Sequence, residues 1–330
     1  MQAINSLDLL KNKIKDGYEI SKEECLELIS KALENEDFFE RLCSVSNEIC
    51  LHFCGNKFDL CTIINGKSGR CSEDCKYCAQ SAHYPTEAEV YPLLDTQTLM
   101  NNANYNNDKG VLRFSVVTSG RTLTNEEVQS LCESYKTIND NVNISLCASH
   151  GLLSYEQFLM LKESGVARYH NNLETSRRNF PNICTTHTYD DKIAAIKAAQ
   201  KSGLAVCSGG ILGLGETMQD RVDMAFDLKS IGIQSIPINI LNPIINTPFE
   251  NNPIVSYKEV LIVIAIYRLI LPTAAIRLAG GRGLLDDKGK KAFLSGANAA
   301  ITGDMLTTQG ISINDDLSML SKLGFSIEKL

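Results

Sequence analysis

Along the first 57 residues, apolar side chains recur at three- and four-residue steps, as in KEECLELISKALEN and FFERLCSVSNEICLHFC. That spacing predicts a helical extension over 1–57. The pattern then changes. Short β-branched runs alternate with amphipathic stretches, predicting strands at 59–65, 112–118, 143–149, 167–174, 204–212, 235–241, 275–281 and 298–303. Gly165, Gly203 and Gly232 each close a helical stretch ahead of a strand. Glycine readily takes the left-handed conformation that ends a helix. Helix, glycine and strand in repetition form the unit of a parallel sheet. Eight strands in one run, with no Gly-x-Gly-x-x-Gly turn after the first, favour a closed barrel over an open doubly wound sheet. The expected fold is an α/β, TIM-type (β/α)8 barrel over 58–305, with the helical extension before it and a helical cap and tail at 306–330. In this architecture reactive residues belong at the carboxyl ends of the strands.

Composition narrows the class. The chain has 330 residues, 44% of them hydrophobic and 22% charged, enough for a large core and incompatible with disorder. A net charge of −7 without a basic block argues against nucleic-acid or membrane partners. The first residues carry charges where a secretion signal needs an apolar stretch, so a cytoplasmic location is expected. The longest apolar run, LIVIAIYRLIL at 261–271, is too short to span a bilayer, carries Arg268 and reads as a buried helix. Twelve cysteines in such a chain point to metal rather than disulfides.

Three of these cysteines stand in one loop, GKSGRCSEDCKYCAQS, where Cys71, Cys75 and Cys78 follow Cys-x3-Cys-x2-Cys. Three thiolates so close together suit three corners of a cubane iron–sulfur cluster, leaving one iron open to a small chelating ligand. Zinc is the plainer alternative, with His83 nearby as a fourth ligand. Cys43 and Cys50, seven apart on one helix, read as core. Cys25, Cys132 and Cys184 show no ligand spacing, and the five histidines, His187 among them, form no Cys/His zinc pattern.

From about residue 58 to 308 the sequence resembles the radical S-adenosylmethionine superfamily and, within it, the biotin synthase family. The resemblance rests on CSEDCKYCAQS, YHNNLETS (169–176), CSGGILGLGET (207–217), SIPINIL (235–241), TAAIRLAGGR (273–282) and GANAAITGDMLTT (296–308). It implies a sulfurtransferase that inserts sulfur between two unactivated carbons of dethiobiotin. S-adenosylmethionine cleavage at a 4Fe-4S cluster would remove the hydrogens, and an auxiliary cluster would supply the sulfur. By this resemblance Cys71, Cys75 and Cys78 hold the first cluster. Tyr77, Asn172, Glu174, Gly209, Ile211, Gly213 and Glu216 contact S-adenosylmethionine, and Asn172 and Asn239 contact dethiobiotin. Glu174 stands where the family more often has Asp. A strand-turn cap is the plainer role for Asn172 and Glu174, and a satisfied barrel amide the plainer role for Asn239. A flavodoxin- or ferredoxin-type reductant and a homodimer are also implied. Hydrogenase-maturation and methylornithine-synthesis enzymes have a similar barrel and remain alternatives, as does a non-catalytic metal-binding barrel.

The chain departs from the family in its auxiliary site. The resemblance assigns Cys147, Cys207 and Arg277 to a 2Fe-2S cluster, but the third cysteine position, in the second strand, is Ser115. A hydroxyl is a poor soft-metal ligand beside thiolates. Side chains alternate along a strand, so Asp59, Cys61 and Ile63 share a face and Cys61 is expected to join Cys147 and Cys207. Cys54 is a further candidate. The exchanged ligands resemble a subset of the family thought to use a larger auxiliary cluster with an added sulfide. For Arg277, an internal ion pair is the plainer role.

Overall fold

The computed structural model describes residues 2–330. Three helices lead: α1 (Gln2–Lys15), α2 (Lys22–Glu34) and α3 (Glu36–Cys54). The chain then runs through β1 (Lys57–Lys67), α4 (Thr96–Asp108), β2 (Arg113–Thr118), α5 (Asn125–Asn141), β3 (Ser145–Ser149), α6 (Tyr155–Glu163) and β4 (Val166–His170). Next come α7 (Phe180–Ile183), α8 (Tyr189–Lys201), β5 (Ala205–Cys207), β6 (Gly210–Leu212), α9 (Met218–Ser230) and β7 (Ser235–Ile240). The last elements are α10 (Tyr257–Ile270), β8 (Ala275–Leu278), α11 (Lys290–Phe293), β9 (Ala299–Ile301), α12 (Ile313–Lys322) and β10 (Ser326–Ile327).

Helix starts repeat one device. Ser21 with Glu24, Thr124 with Glu127, Ser154 with Gln157, Thr188 with Asp191 and Thr217 with Asp220 form reciprocal capping boxes. Each box satisfies amide groups that a helix start leaves unpaired. The glycine punctuation holds too: Gly165, Gly203 and Gly232 have φ of +94°, +85° and +73°.

The strands pair in parallel in the order β1-β2-β3-β4-β5-β7-β8-β9, and β9 returns to β1 through Asp59–Ala299 and Cys61–Ile301. The result is a closed eight-stranded (β/α)8 barrel. Its fifth strand, expected to run unbroken over 204–212, is split into β5 and β6. At the break the Asn172 side chain takes the Gly209 amide, and the Glu174 amide donates to the Gly209 carbonyl, both at 3.0 Å. Gly209 lies so close to β7 that an added Cβ would sit 1.9 Å from the Pro237 carbonyl oxygen.

The expected buried helix is α10, in which Val260 through Ile270 are all buried. It packs against β8 on one side and against α2 and α3 on the other. Arg268, fully buried, donates to the carbonyls of Gly296, Pro272 and Ala274 and to Asn298 Oδ1, which meets the hydrogen-bonding demand of its buried charge. At the amino end of the barrel β10 pairs with β1 at Lys57 and Phe58. Among the described residues no helix is long and apolar enough to cross a membrane.

Candidate functional site

Strand alternation sends one set of side chains inward, and these line a cavity of about 410 Å³ that runs up to the loop after β1. Its floor is ionic. Asp59 is fully buried and pairs with Arg113 Nε and Arg277 Nη2, each at 2.9 Å. Arg277 Nη1 also donates to the carbonyls of Asp59 and Ala300 at 3.0 Å. Burial alone would raise the Asp59 carboxyl, but Arg277 and Arg113 outweigh it and draw it down to about 2. Arg277 therefore has the internal ion pair weighed for it, and it also lines the cavity.

Above the floor Cys61, Cys147 and Cys207 line the same cavity, with Ser115 beside Cys147 across the β2–β3 ladder. Burial, then the neighbouring Cys147, pushes the Cys61 thiol up to about 12, and burial also raises Cys147. Cys207 differs. Burial opposes its ionisation, but His170, Arg277 and Arg168 prevail and bring it to about 7, and Ser235 Oγ donates to its sulfur at 3.3 Å. Arg168 and His170 alternate inward on β4, and Arg113 and Ser115 on β2, so the same period-2 rule that found Cys61 would have found them.

Cys54 is not part of this set. It ends α3, outside the barrel wall, with its thiol 3.7 Å from the Thr273 carbonyl and 3.8 Å from Arg268 Nη1. The helix finishes before β1 enters the wall, so counting back along the strand does not carry inward to residue 54.

The cysteine loop is folded by its own backbone. The Cys71 amide donates to the Gln80 carbonyl at 2.9 Å, the Ala82 amide to the Cys71 carbonyl at 2.8 Å, and the Cys78 amide to the Cys75 carbonyl at 3.0 Å. Cys71, Tyr77 and Cys78 line the cavity. Cys75 is turned aside: its sulfur, the Cys184 sulfur and a His187 ring nitrogen lie within 4.8 Å of one another. Sequence spacing had set Cys184 and His187 aside. Their Cys-x2-His step was the available signal, and their partner lies more than a hundred residues away. The donor set on the loop is all thiol, two members of it already on the cavity wall, and it fits a cubane cluster held at three corners. The three barrel thiols above a cationic floor fit a second, anionic iron–sulfur group.

Asn172, Glu174, Ile211 and Asn239 also line the cavity. Asn172 Nδ2 donates to Glu174 Oε2 at 3.3 Å, and Glu174 holds a left-handed φ of +70°. Asn239 Nδ2 donates to the Gly210 carbonyl at 3.1 Å and its Oδ1 accepts the Gly280 amide at 2.8 Å, so this amide ties β7 to β6 and to the turn after β8. Gly209, Gly213 and Glu216 do not reach the cavity. Glu216 turns back to accept the Gly213 amide at 2.9 Å and to pair with Arg221 Nε at 2.8 Å, closing its own loop. Of the residues expected to contact S-adenosylmethionine, Tyr77, Asn172, Glu174 and Ile211 line the space. Lys192, not singled out by sequence, lines the rim and donates to Asn171 Oδ1 at 3.1 Å.

Two family models match the chain: the Radical SAM superfamily over residues 67–228 and the Biotin and Thiamin Synthesis associated domain over 237–326. Biotin synthase of Clostridium botulinum (strain Hall) is 56% identical over 96% of this chain and 98% of its own length. Biotin synthase of Akkermansia muciniphila is 54% identical over 96% and 97%. Among solved structures, methylornithine synthase (PylB) superposes with a TM-score of 0.85 at 18% identity over 97% of both chains. The FeFe-hydrogenase maturase HydG from Carboxydothermus hydrogenoformans gives 0.81 at 17% identity over 97% of this chain and 79% of its own. At such identities these two likenesses speak to the fold alone. The identity to curated relatives over nearly the full length settles the narrower question: the chain belongs to the biotin synthase family of the radical S-adenosylmethionine superfamily.

Proposed function

We propose that this chain converts dethiobiotin to biotin in the single cavity described above. When bound, the 4Fe-4S cluster with S-adenosylmethionine supplies hydrogen abstraction, and the auxiliary cluster supplies sulfur. One observation carries the assignment of roles: Cys71 and Cys78 face the upper part of the same space whose lower wall holds Cys61, Cys147 and Cys207.

Cys71, Cys75 and Cys78 hold the first cluster. Asn172 and Glu174 form an amide–carboxylate pair suited to the vicinal hydroxyls of a ribose, one group donating and the other accepting. Ile211 and Tyr77 give apolar surface for a base. Lys192 offers an ammonium at the rim for a carboxylate. Asn172 and Asn239 each keep part of their hydrogen-bonding capacity for the polar ring of the substrate. Ile63, Val117, Ile301 and Leu306 present apolar surface to the cavity, which keeps water and stray hydrogen donors from the reacting carbons.

Cys61, Cys147 and Cys207 hold the auxiliary cluster, with Arg277 as the cation beneath it. Loading this site removes protons from Cys61 and Cys147, which burial keeps as thiols, whereas Cys207 ionises most readily. Ser115 leaves the 2Fe-2S ligand set of the family incomplete, and Cys61 completes an alternative one suited to a larger cluster. A reduced cytoplasmic setting, a flavodoxin- or ferredoxin-type donor and a homodimer complete the reading.

The test is anaerobic turnover of the reconstituted protein with dethiobiotin, S-adenosylmethionine and a low-potential reductant. Cys71→Ala is expected to lose both S-adenosylmethionine cleavage and biotin. Cys147→Ala and Cys207→Ala are expected to keep cleavage and lose biotin. Biotin formation by all three variants would overturn the roles. Iron and sulfide counts with Mössbauer spectra address Cys61: an auxiliary signal of two-iron type that survives Cys61→Ala would remove it from the ligand set.

A further inference from the structure

The segment between α7 and α8 brings a second set of metal donors against the cysteine loop. Cys184 and His187 are buried, and with Cys75 they place two sulfurs and a ring nitrogen within 4.8 Å of one another. Cys184 Sγ lies 3.3 Å from His187 Nδ1 and 3.9 Å from Nε2. Nδ1 also meets Glu73 Oε2 at 2.5 Å, and that oxygen accepts from Thr186 Oγ1 at 2.8 Å. A carboxylate on one ring nitrogen fixes the tautomer and leaves the lone pair of the other nitrogen for a metal. The two sides of the set are tied together. Asp74 accepts the amides of Thr185 and Thr186 at 2.8 and 3.2 Å, and the Lys76 amide donates to the Ile183 carbonyl at 2.9 Å. Two thiols and an imidazole suit a borderline-soft divalent ion such as ferrous iron or zinc.

We propose that in the cluster-free chain Cys75, Cys184 and His187 bind one divalent transition-metal ion, ferrous iron in a reducing cell, and that building the cluster on Cys71, Cys75 and Cys78 withdraws Cys75 and ends this binding. Cys75 thus belongs to two exclusive sites, a mononuclear one facing Cys184 and a cluster facing the cavity. The mononuclear site goes beyond the reaction proposed above and is tested apart from it, whereas the sharing of Cys75 rests on the cluster assignment made there.

Cobalt(II) is the probe, titrated anaerobically into the metal-free full-length protein and read by the thiolate-to-cobalt absorption and by bound stoichiometry. Cys184→Ser and His187→Gln are each expected to remove one cobalt equivalent from the total bound by the unaltered chain, with far-UV circular dichroism confirming that both variants fold. Glu73→Gln, which leaves all three donors in place, is expected to weaken that equivalent by about 10-fold. Cys71→Ser is expected to retain it. After cluster reconstitution the equivalent that depends on Cys184 is expected to be gone. Equal stoichiometry in the unaltered chain, Cys184→Ser and His187→Gln would overturn the site. Persistence of the Cys184-dependent equivalent beside a full cluster would overturn the sharing of Cys75.

Discussion

Asp59 faces two guanidinium groups at 2.9 Å in a fully buried position, so its removal strands two charges at once. Breaking a buried pair from one side costs about 3–5 kcal/mol, and Asp59→Asn is expected to destabilise the cluster-free chain by that amount in urea unfolding. His150 gives a pH signature. Its ring lies between Thr118 Oγ1 and Tyr135 OH, each at 3.0 Å, and burial draws it down to about 3. Above the unfolded value of ~6.5 its contribution is whole. Below that, the unfolded chain takes a proton that the folded chain refuses, and stability falls by about 1.4 kcal/mol per pH unit until pH reaches about 3. Urea unfolding at pH 7, 6 and 5 should show this slope in the unaltered chain and lack it in His150→Gln. At this scale the sequence was informative where a rule of spacing applied. Cys61 follows from alternation and Cys71, Cys75 and Cys78 from ligand spacing, whereas Cys147 and Cys207 came from the family resemblance; the three barrel thiols line one cavity. Glu216 turns toward Arg221 and the Gly213 amide, partners whose pull a glycine pattern does not reveal.

Among the elements, the fifth strand shows what sequence periodicity misses. Residues 204–212 carry apolar and small side chains throughout, and a strand was expected across all of them. The break comes from outside the segment, from the Asn172 side chain and from the approach of β7. Gly209 permits that approach. Gly209→Ala would drive a methyl into the Pro237 carbonyl, and backbone cannot yield as a side chain does. A loss of about 1–3 kcal/mol is expected, together with weaker S-adenosylmethionine binding by equilibrium dialysis, because Asn172 loses its anchor. Unchanged stability and binding would show that the wall tolerates a full β-ladder there. The barrel itself was legible because eight β-branched runs alternate with amphipathic stretches, three of them closed by Gly165, Gly203 and Gly232. The Cys75–Cys184–His187 grouping was not legible, since only the closed fold brings α7 and α8 over the loop.

For the molecule as a whole, the leading helices complete the core. α10 is apolar on every side because the barrel takes one face and α2 and α3 take another. Leu42, Val45 and Ile49 of α3 are fully buried. Deleting residues 1–56 would bare that face of α10, and an exposed apolar patch of this kind drives association. The shortened chain is expected in the insoluble fraction on expression, and a soluble monomer would show that α10 is covered in some other way.

The ionic floor gives the cavity two unlike ends. Asp59, Arg113 and Arg277 stand beneath the deep thiols, and Cys71 and Cys78 line the opposite end of the same space. On the roles proposed above, deliveries to the storeroom that enter from the doorway side would be slowed by a furnished doorway, and rebuilding the interior first would avoid that conflict.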